Sequence, residues 1–260
     1  MSKILDNIVE TFKELTISDE FTAFITKPIT DGKCYHIGDI SELLDVTEKI
    51  SSEDINILIH ERAIDIHEDF FTIQYIFDYR SDPNDDDEGD VIILGHKVSP
   101  GFLFVTGFIV HGTKVSLNPC FAIIPLEKPP LDTTKPGYIL ELFNTMMSDG
   151  VHMSFIGFLD SVQHAFSFGD ITFFYVGPED PHKDKDIIEE VANSMKDLVI
   201  DAMYRFFILK EQGKEIKVSP NTDFSPKGYV RIRDRSTSYH ILKAPANDEY
   251  LGFTKRTPDD

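Results

Sequence analysis

The sequence predicts an α+β fold: a mainly antiparallel sheet, with a meander in the middle of the chain, packed by a long amphipathic C-terminal helix. Three observations predict it. The 260 residues hold 21 Phe and 9 Tyr against no Trp, and aromatic and β-branched side chains suit a pleated, half-buried surface. Residues 70–124 form successive apolar runs divided by polar or Gly/Pro breaks, which is a strand-and-turn pattern. Residues 185–212 place Ile187, Ile188, Val191, Met195, Leu198 and Met203 at helical spacing, followed by Phe206, Phe207 and Leu209.

Taken in order, Lys3 to Leu15 sets Ile4, Leu5, Ile8, Val9, Phe12 and Leu15 along one helical stripe. A second short helix is expected from Asp39 to Ile50. Ser51, Ser52, Glu53 and Asp54 form a cap, after which helix and strand both fit. Phe70 to Tyr79 alternates in part and reads as a strand, with Val91 to Val98 as its hairpin partner. Strands at Gly101 to Val110 and Lys114 to Ile124 complete a four-stranded antiparallel meander. Pro125, Pro129, Pro130 and Pro136 end it, because proline neither donates to a ladder nor continues a helix. The chain is then either one α+β domain over 1–260 or two lobes, an N-terminal 1–125 and a C-terminal 137–260. Beyond the prolines a helix is expected at Tyr138 to Met147, with strands at Val151 to Phe158 and Ile171 to Val176. The long helix starts among Asp184, Asp186, Glu189 and Glu190 and stops at Gly213, which complements its dipole and ends it.

The net charge of −20 repels phosphate backbones and anionic membranes. It is also uneven: residues 214–260 carry nine Lys/Arg against seven Asp/Glu, leaving 16 against 38 for residues 1–213. An acidic body therefore precedes a mildly basic tail, an arrangement suited to docking on a basic partner as well as to plain solubility. No apolar run reaches the ~18 residues of a membrane span, and Met1 to Asp6 does not resemble a secretory signal. Cys34 and Cys120 lie far apart without zinc or disulfide spacing, so both are expected as buried thiols in a reducing, cytoplasmic setting.

Candidate chemistry is sparse. His111-Gly112-Thr113 and His152-Met153-Ser154 are two His-x-Ser/Thr units at or beside predicted strands. Facing one another, such units resemble the signature of 2H phosphoesterases, in which two imidazoles exchange protons across a phosphodiester. Asp85, Asp86, Asp87 and Glu88 form an acidic hairpin tip with part of a calcium-loop composition; counted from Asn84, the twelfth position is Gly95 where a bidentate Glu is needed. The run His60 to Asp69 mixes two histidines with four carboxylates. Its His spacing of seven would separate them by ~10 Å on a helix, too far for one ion, so it reads as a solvated polar stretch. Arg231, Arg233 and Arg235 would share one face of a strand and could grip phosphate or carboxylate, or neutralise the acidic body. No cofactor loop, metal set or hydrolase elbow is present by motif.

The run Asp197 to Leu209, then a short polar strand, then an Arg-rich segment closing on Ser238-Tyr239-His240-Ile241-Leu242, resembles the C-terminal part of uncharacterised bacteriophage proteins. It covers about 50 of the 260 residues. In those proteins Lys-Pro-Pro-Leu precedes the Tyr-His, where this chain has Arg235-Ser236-Thr237-Ser238. The resemblance implies a phage protein made in a bacterial cytoplasm and acting early on host machinery.

Three functions follow as expectations. The first is a non-enzymatic acidic protein that binds and modulates a host or viral protein, as an inhibitor or a nucleic-acid mimic, through Asp85 to Glu88 and Arg231, Arg233 and Arg235. The second is a 2H-like phosphodiesterase or nuclease using His111, Thr113, His152 and Ser154. The third is a homo-oligomer that lays the basic tail of one copy on the acidic body of the next. Direct nucleic-acid binding is expected only through the arginine strip.

Overall fold

A computed structural model of the protein describes residues 7, 8, 10, 11, 19–39, 52–78, 88–98, 102–111, 114–117, 120–126, 162–168, 171–176, 185–218 and 239–243. The apolar runs in the middle of the chain build its centre. Strand β2 (Phe70–Asp78) pairs antiparallel with β3 (Glu88–Val98), Ile73 opposite Ile93. Strand β4 (Phe102–His111) continues the meander on β3, with Val91 opposite Ile109. The stretch expected as one strand from 114 to 124 is instead two, β5 (Lys114–Leu117) and β6 (Cys120–Pro125), both paired with β4. Pro119, which has no amide hydrogen to give a ladder, falls between them.

Strands β8 (Ile171–Val176) and β7 (Val162–Phe168) extend the β6 side antiparallel; β7 has no counterpart among the expected elements. On the other side β1 (Lys33–Asp39) lies parallel both to β2 and to β10 (Tyr239–Lys243). Strand β9 (Lys214–Val218) closes that edge antiparallel to β10. The result is one ten-stranded, mostly antiparallel sheet that draws strands from both sides of the proline-rich stretch.

Among the described residues, three helices contact the sheet. Helix α1 (Asp19–Asp31) contacts β2 and β3, and its Pro28 carbonyl accepts a 3.1 Å hydrogen bond from Thr72 Oγ1. The sequence expectations name no element there; Pro28 and the β-branched Thr22, Ile25, Thr26, Ile29 and Thr30 are poor helix formers. Burial of Ile29 overrides that propensity. Helix α2 (Ser52–Ile64) resolves the helix-or-strand choice after Ser51, with Glu53 and Asp54 at its positive end. Helix α3 (Lys185–Gln212) packs against the sheet through residues within 196–212. Val199, Met203 and Phe206 are buried there with Ile59 and Ala63 of α2 and Tyr35, Phe71, Ile73 and Ile93 of the sheet. Tyr75 on the same sheet face donates from its hydroxyl to the Leu198 carbonyl at 3.1 Å.

At the end of α3 the chain turns directly into β9. The Gly213 amide donates to the Leu209 carbonyl at 2.9 Å. A Cβ at Gly213 would lie 2.4 Å from that oxygen and 2.7 Å from the Lys243 carbonyl, so only glycine fits. This tight junction brings the last turn of α3 beside β1 and β10.

The expected helix over 3–15 is described at residues 7, 8, 10 and 11, which are helical, and Ile8 is fully buried. The elements expected at 40–50, 138–147 and 151–158 lie outside the described residues. No helix among the described residues is long and apolar enough to cross a membrane. Cys34 is buried and is not in a disulfide.

Candidate functional site

The segment 65–69 links α2 to β2 and is held by β3. Lys97 of β3 donates from its backbone amide to the Asp69 carbonyl at 2.8 Å and from Nζ to the Ile66 carbonyl at 3.1 Å. This fixes Glu68 beside β1 and the last turn of α3. Period two along β1 puts Tyr35 on the α3 face of the sheet, where its ring lies 5.0 Å from that of Phe206. Lys210, four residues after Phe206, lies on the same side of the helix.

Glu68 is the hub. Its Oε1 accepts from the Tyr35 hydroxyl at 2.6 Å, Lys210 Nζ at 2.7 Å and Lys33 Nζ at 3.2 Å. Lys210 also donates to the Tyr35 oxygen at 2.5 Å. Beyond Tyr35 the His240 ring of β10 lies 5.4 Å away, its Nδ1 2.5 Å from Glu215 Oε1. Burial alone would raise the Glu68 carboxyl, but the hydrogen bonds from Lys210 and Tyr35 outweigh it and hold it at about 2. The Tyr35 phenol is pushed well above its ordinary value, first by burial and then by the Glu68 carboxylate that accepts its proton. Glu68 is thus ionised and Tyr35 protonated through the neutral range, and the cluster acts there as a fixed electrostatic clasp.

Beside the clasp, between α2 and α3, lies a cleft of about 300 Å³ lined by residues of both helices and of the 65–69 segment. Ile66, Phe206 and Phe207 form its apolar part, and Glu68 and Lys210 one polar wall. Arg62, also in the lining, forks to Glu211, Nε to Oε2 and Nη2 to Oε1, each at 3.1 Å. Asp65 and His67 also line it and are exposed.

Of the sequence-predicted site residues, His111 and Glu88 are described, and neither lines this cleft. His111 is the last residue of β4, paired with Lys114, while Thr113, His152 and Ser154 lie outside the described residues. Glu88 opens β3 opposite Asp78; Asp85, Asp86, Asp87, Arg231, Arg233 and Arg235 lie outside the described residues. Gly95, the twelfth position of the calcium-loop count, sits inside β3 opposite Phe71 and Val105, so residues 88–95 of that count are strand. Among the described residues no group of three or more His, Cys, Asp or Glu side chains is placed to hold a metal.

The polar run 60–69 is solvated only in part. Glu61, Asp65, His67 and Asp69 are exposed, whereas Glu68 is partly buried and tied to two lysines. The available signal was Lys210, a cation at i+4 from a core phenylalanine, which needs an acceptor on that face. Comparison with family models, curated proteins and solved structures finds no match to this chain.

Proposed function

We propose that this chain is a non-enzymatic acidic binding protein, a phage-encoded factor that engages a host protein through a basic surface on that partner. The observation that carries the reading is how the charges of the described framework are used. Lys33 and Lys210 are tied to Glu68, Arg62 to Glu211 and Lys196 to Asp197. Lys97 is held by a carbonyl, and Lys27 lies over the Phe70 ring. By contrast Glu10, Asp31, Glu53, Glu61, Asp65 and Asp69 are exposed without an ion pair among the described residues. Intramolecular pairing thus absorbs these cations and leaves these carboxylates outward, while Lys114, Lys214, Lys217 and Lys243 are exposed without an ion pair among the described residues, in a chain of net charge −20. Such a surface steers a basic partner and repels nucleic acid.

The clasp supports a non-catalytic reading, since Glu68 stays ionised and Tyr35 protonated through neutral pH, where acid–base catalysis needs groups that exchange protons. The test is capture from bacterial cytoplasm with the tagged chain, at low and high salt, beside a Glu53→Gln/Glu61→Gln/Asp65→Asn variant. A basic protein retained by wild type, released by salt and weakened in the variant is the expected result. Phosphodiesterase activity that disappears in His111→Ala with the fold retained would overturn the proposal in favour of the 2H reading.

A second reading, self-assembly, is favoured by one feature: Lys214, Lys217 and Lys243 are exposed together on the β9–β10 edge. A mass in solution that falls from oligomer to monomer with added salt would support it.

A further inference from the structure

We infer that the cleft between α2 and α3 is a binding site for a small organic monocation, an ammonium group carried on an apolar body. Its volume of about 300 Å³ matches the lower end of the ~300–1,000 Å³ found for ligand pockets. Its composition is that of such pockets too, an apolar floor of Ile66, Phe206 and Phe207 under a few placed polar groups.

The unfilled hydrogen-bonding capacity of the cleft belongs to acceptors. All three donors recorded on Glu68 converge on Oε1. Its Oε2 has no partner among the described residues, yet the side chain is held in one position on the cleft wall by those three bonds. Asp65, on the same rim, is exposed and without an ion pair among the described residues. The cations of the lining are engaged, Lys210 with Tyr35 and Glu68, Arg62 with Glu211. Arg62 and Lys210 set against Asp65, Glu68 and Glu211 leave the lining one negative charge in excess. Lys33 reaches Glu68 from β1, and its side chain, half exposed, lies outside the lining. An incoming ammonium would meet Glu68 Oε2 and Asp65, with its body against the apolar part of the lining. The field of the whole acidic chain raises the local concentration of such a ligand and lowers that of an anion.

Asp65 is shared with the protein-binding reading above, but the ligand titration involves no partner protein, so either can fail alone. The test is a protein-observed NMR titration of the full chain at neutral pH with benzylamine, with benzyl alcohol as neutral isostere and benzoate as anion. Saturable benzylamine shifts centred on 65–68 and 206–211 are expected, with benzyl alcohol about tenfold weaker or more, the scale of a hydrogen bond to a charged group, and benzoate silent. Asp65→Asn, at an exposed position, keeps the fold and weakens benzylamine several-fold; Glu68→Gln weakens it further where it folds. Absence of saturable benzylamine binding, equal affinity for the alcohol, shifts centred elsewhere, or unchanged affinity in Asp65→Asn overturns the assignment.

Discussion

The Lys210 ammonium lies 2.5 Å from the Tyr35 phenol oxygen and 4.3 Å from the centroid of the same ring, so one cation both donates to the tyrosine and caps its face. The tyrosine hydroxyl in turn donates a hydrogen bond to Glu68. Strand β1, the end of α3 and the segment entering β2 are joined at this point, where the hydrophobic core opens into the cleft.

The clasp should behave as a unit. Lys210→Met removes the closer of the two cations on Glu68 and is expected to cost about 1–3 kcal/mol; Tyr35→Phe, which removes one hydrogen bond to a charged group, about 1–2 kcal/mol. Both substitutions act on one carboxylate, so the double mutant should lose less than the sum. Glu211→Gln, at the more exposed Arg62 pair, should cost less than about 1 kcal/mol. Urea unfolding of the set measures all of this, and strict additivity of the first two would show that they are separate contacts.

Acidification should destabilise the protein in two steps. Burial, then the nearby Arg205 guanidinium, lower the His36 imidazole from 6.5 to about 4. The unfolded chain therefore takes up that proton first, and the stability His36 contributes is complete above pH 6.5 and lost as pH falls towards 4. Glu68 is lowered from 4.5 to about 2, so its contribution is complete above 4.5 and lost as pH falls towards 2. Urea midpoints measured against pH should show a shallower slope between 6.5 and 4 in His36→Gln; an unchanged slope would assign that step to another group.

Asp201 on α3 works in the opposite direction. Burial, then the Asp197 charge four residues earlier, raise it from 3.8 to about 6 against the pull of Lys196. The folded state holds this proton more tightly, so the group favours folding at low pH and the advantage is lost as pH rises through 6. Asp201→Asn should raise the urea midpoint at pH 7.5 and match wild type near pH 4. A lower midpoint at pH 7.5 would mean that the ionised carboxylate makes a favourable contact.

What could be read from the sequence follows the range of the interactions involved. Strands β2, β3, β4 and β8 are legible because each is an apolar or aromatic run bounded by breakers, and adjacent runs pair in order as a meander. Strand β1 is not, because its seven residues set only Cys34, Tyr35 and Ile37 among Lys33, His36, Gly38 and Asp39, and one partner, β10, comes from the far end of the chain. The 65–69 segment looks solvated because the partners of Glu68 lie 33 and 142 residues away in Tyr35 and Lys210. No local pattern encodes that convergence; it exists only once the sheet places β1 beside α3.

Gly95 offers a test of how the sheet supports the cleft. It pairs with Phe71 across β2 and β3, and the Phe71 ring lies over it, so that a Cβ would come 2.1 Å from Cζ. The same ring stacks on Phe206 at 5.3 Å and 10°, and Phe206 lines the cleft. Gly95→Ala must therefore push Phe71 towards Phe206, with an expected cost of about 1–3 kcal/mol from overpacking. Phe71→Leu removes the clash while leaving a cavity, so it should destabilise the wild type yet partly rescue Gly95→Ala. Denaturation of the four proteins, with near-UV circular dichroism to follow the aromatic cluster, decides it. If Phe71→Leu costs as much in the alanine background as in wild type, the ring does not occupy the glycine's space and the link from the sheet to Phe206 fails.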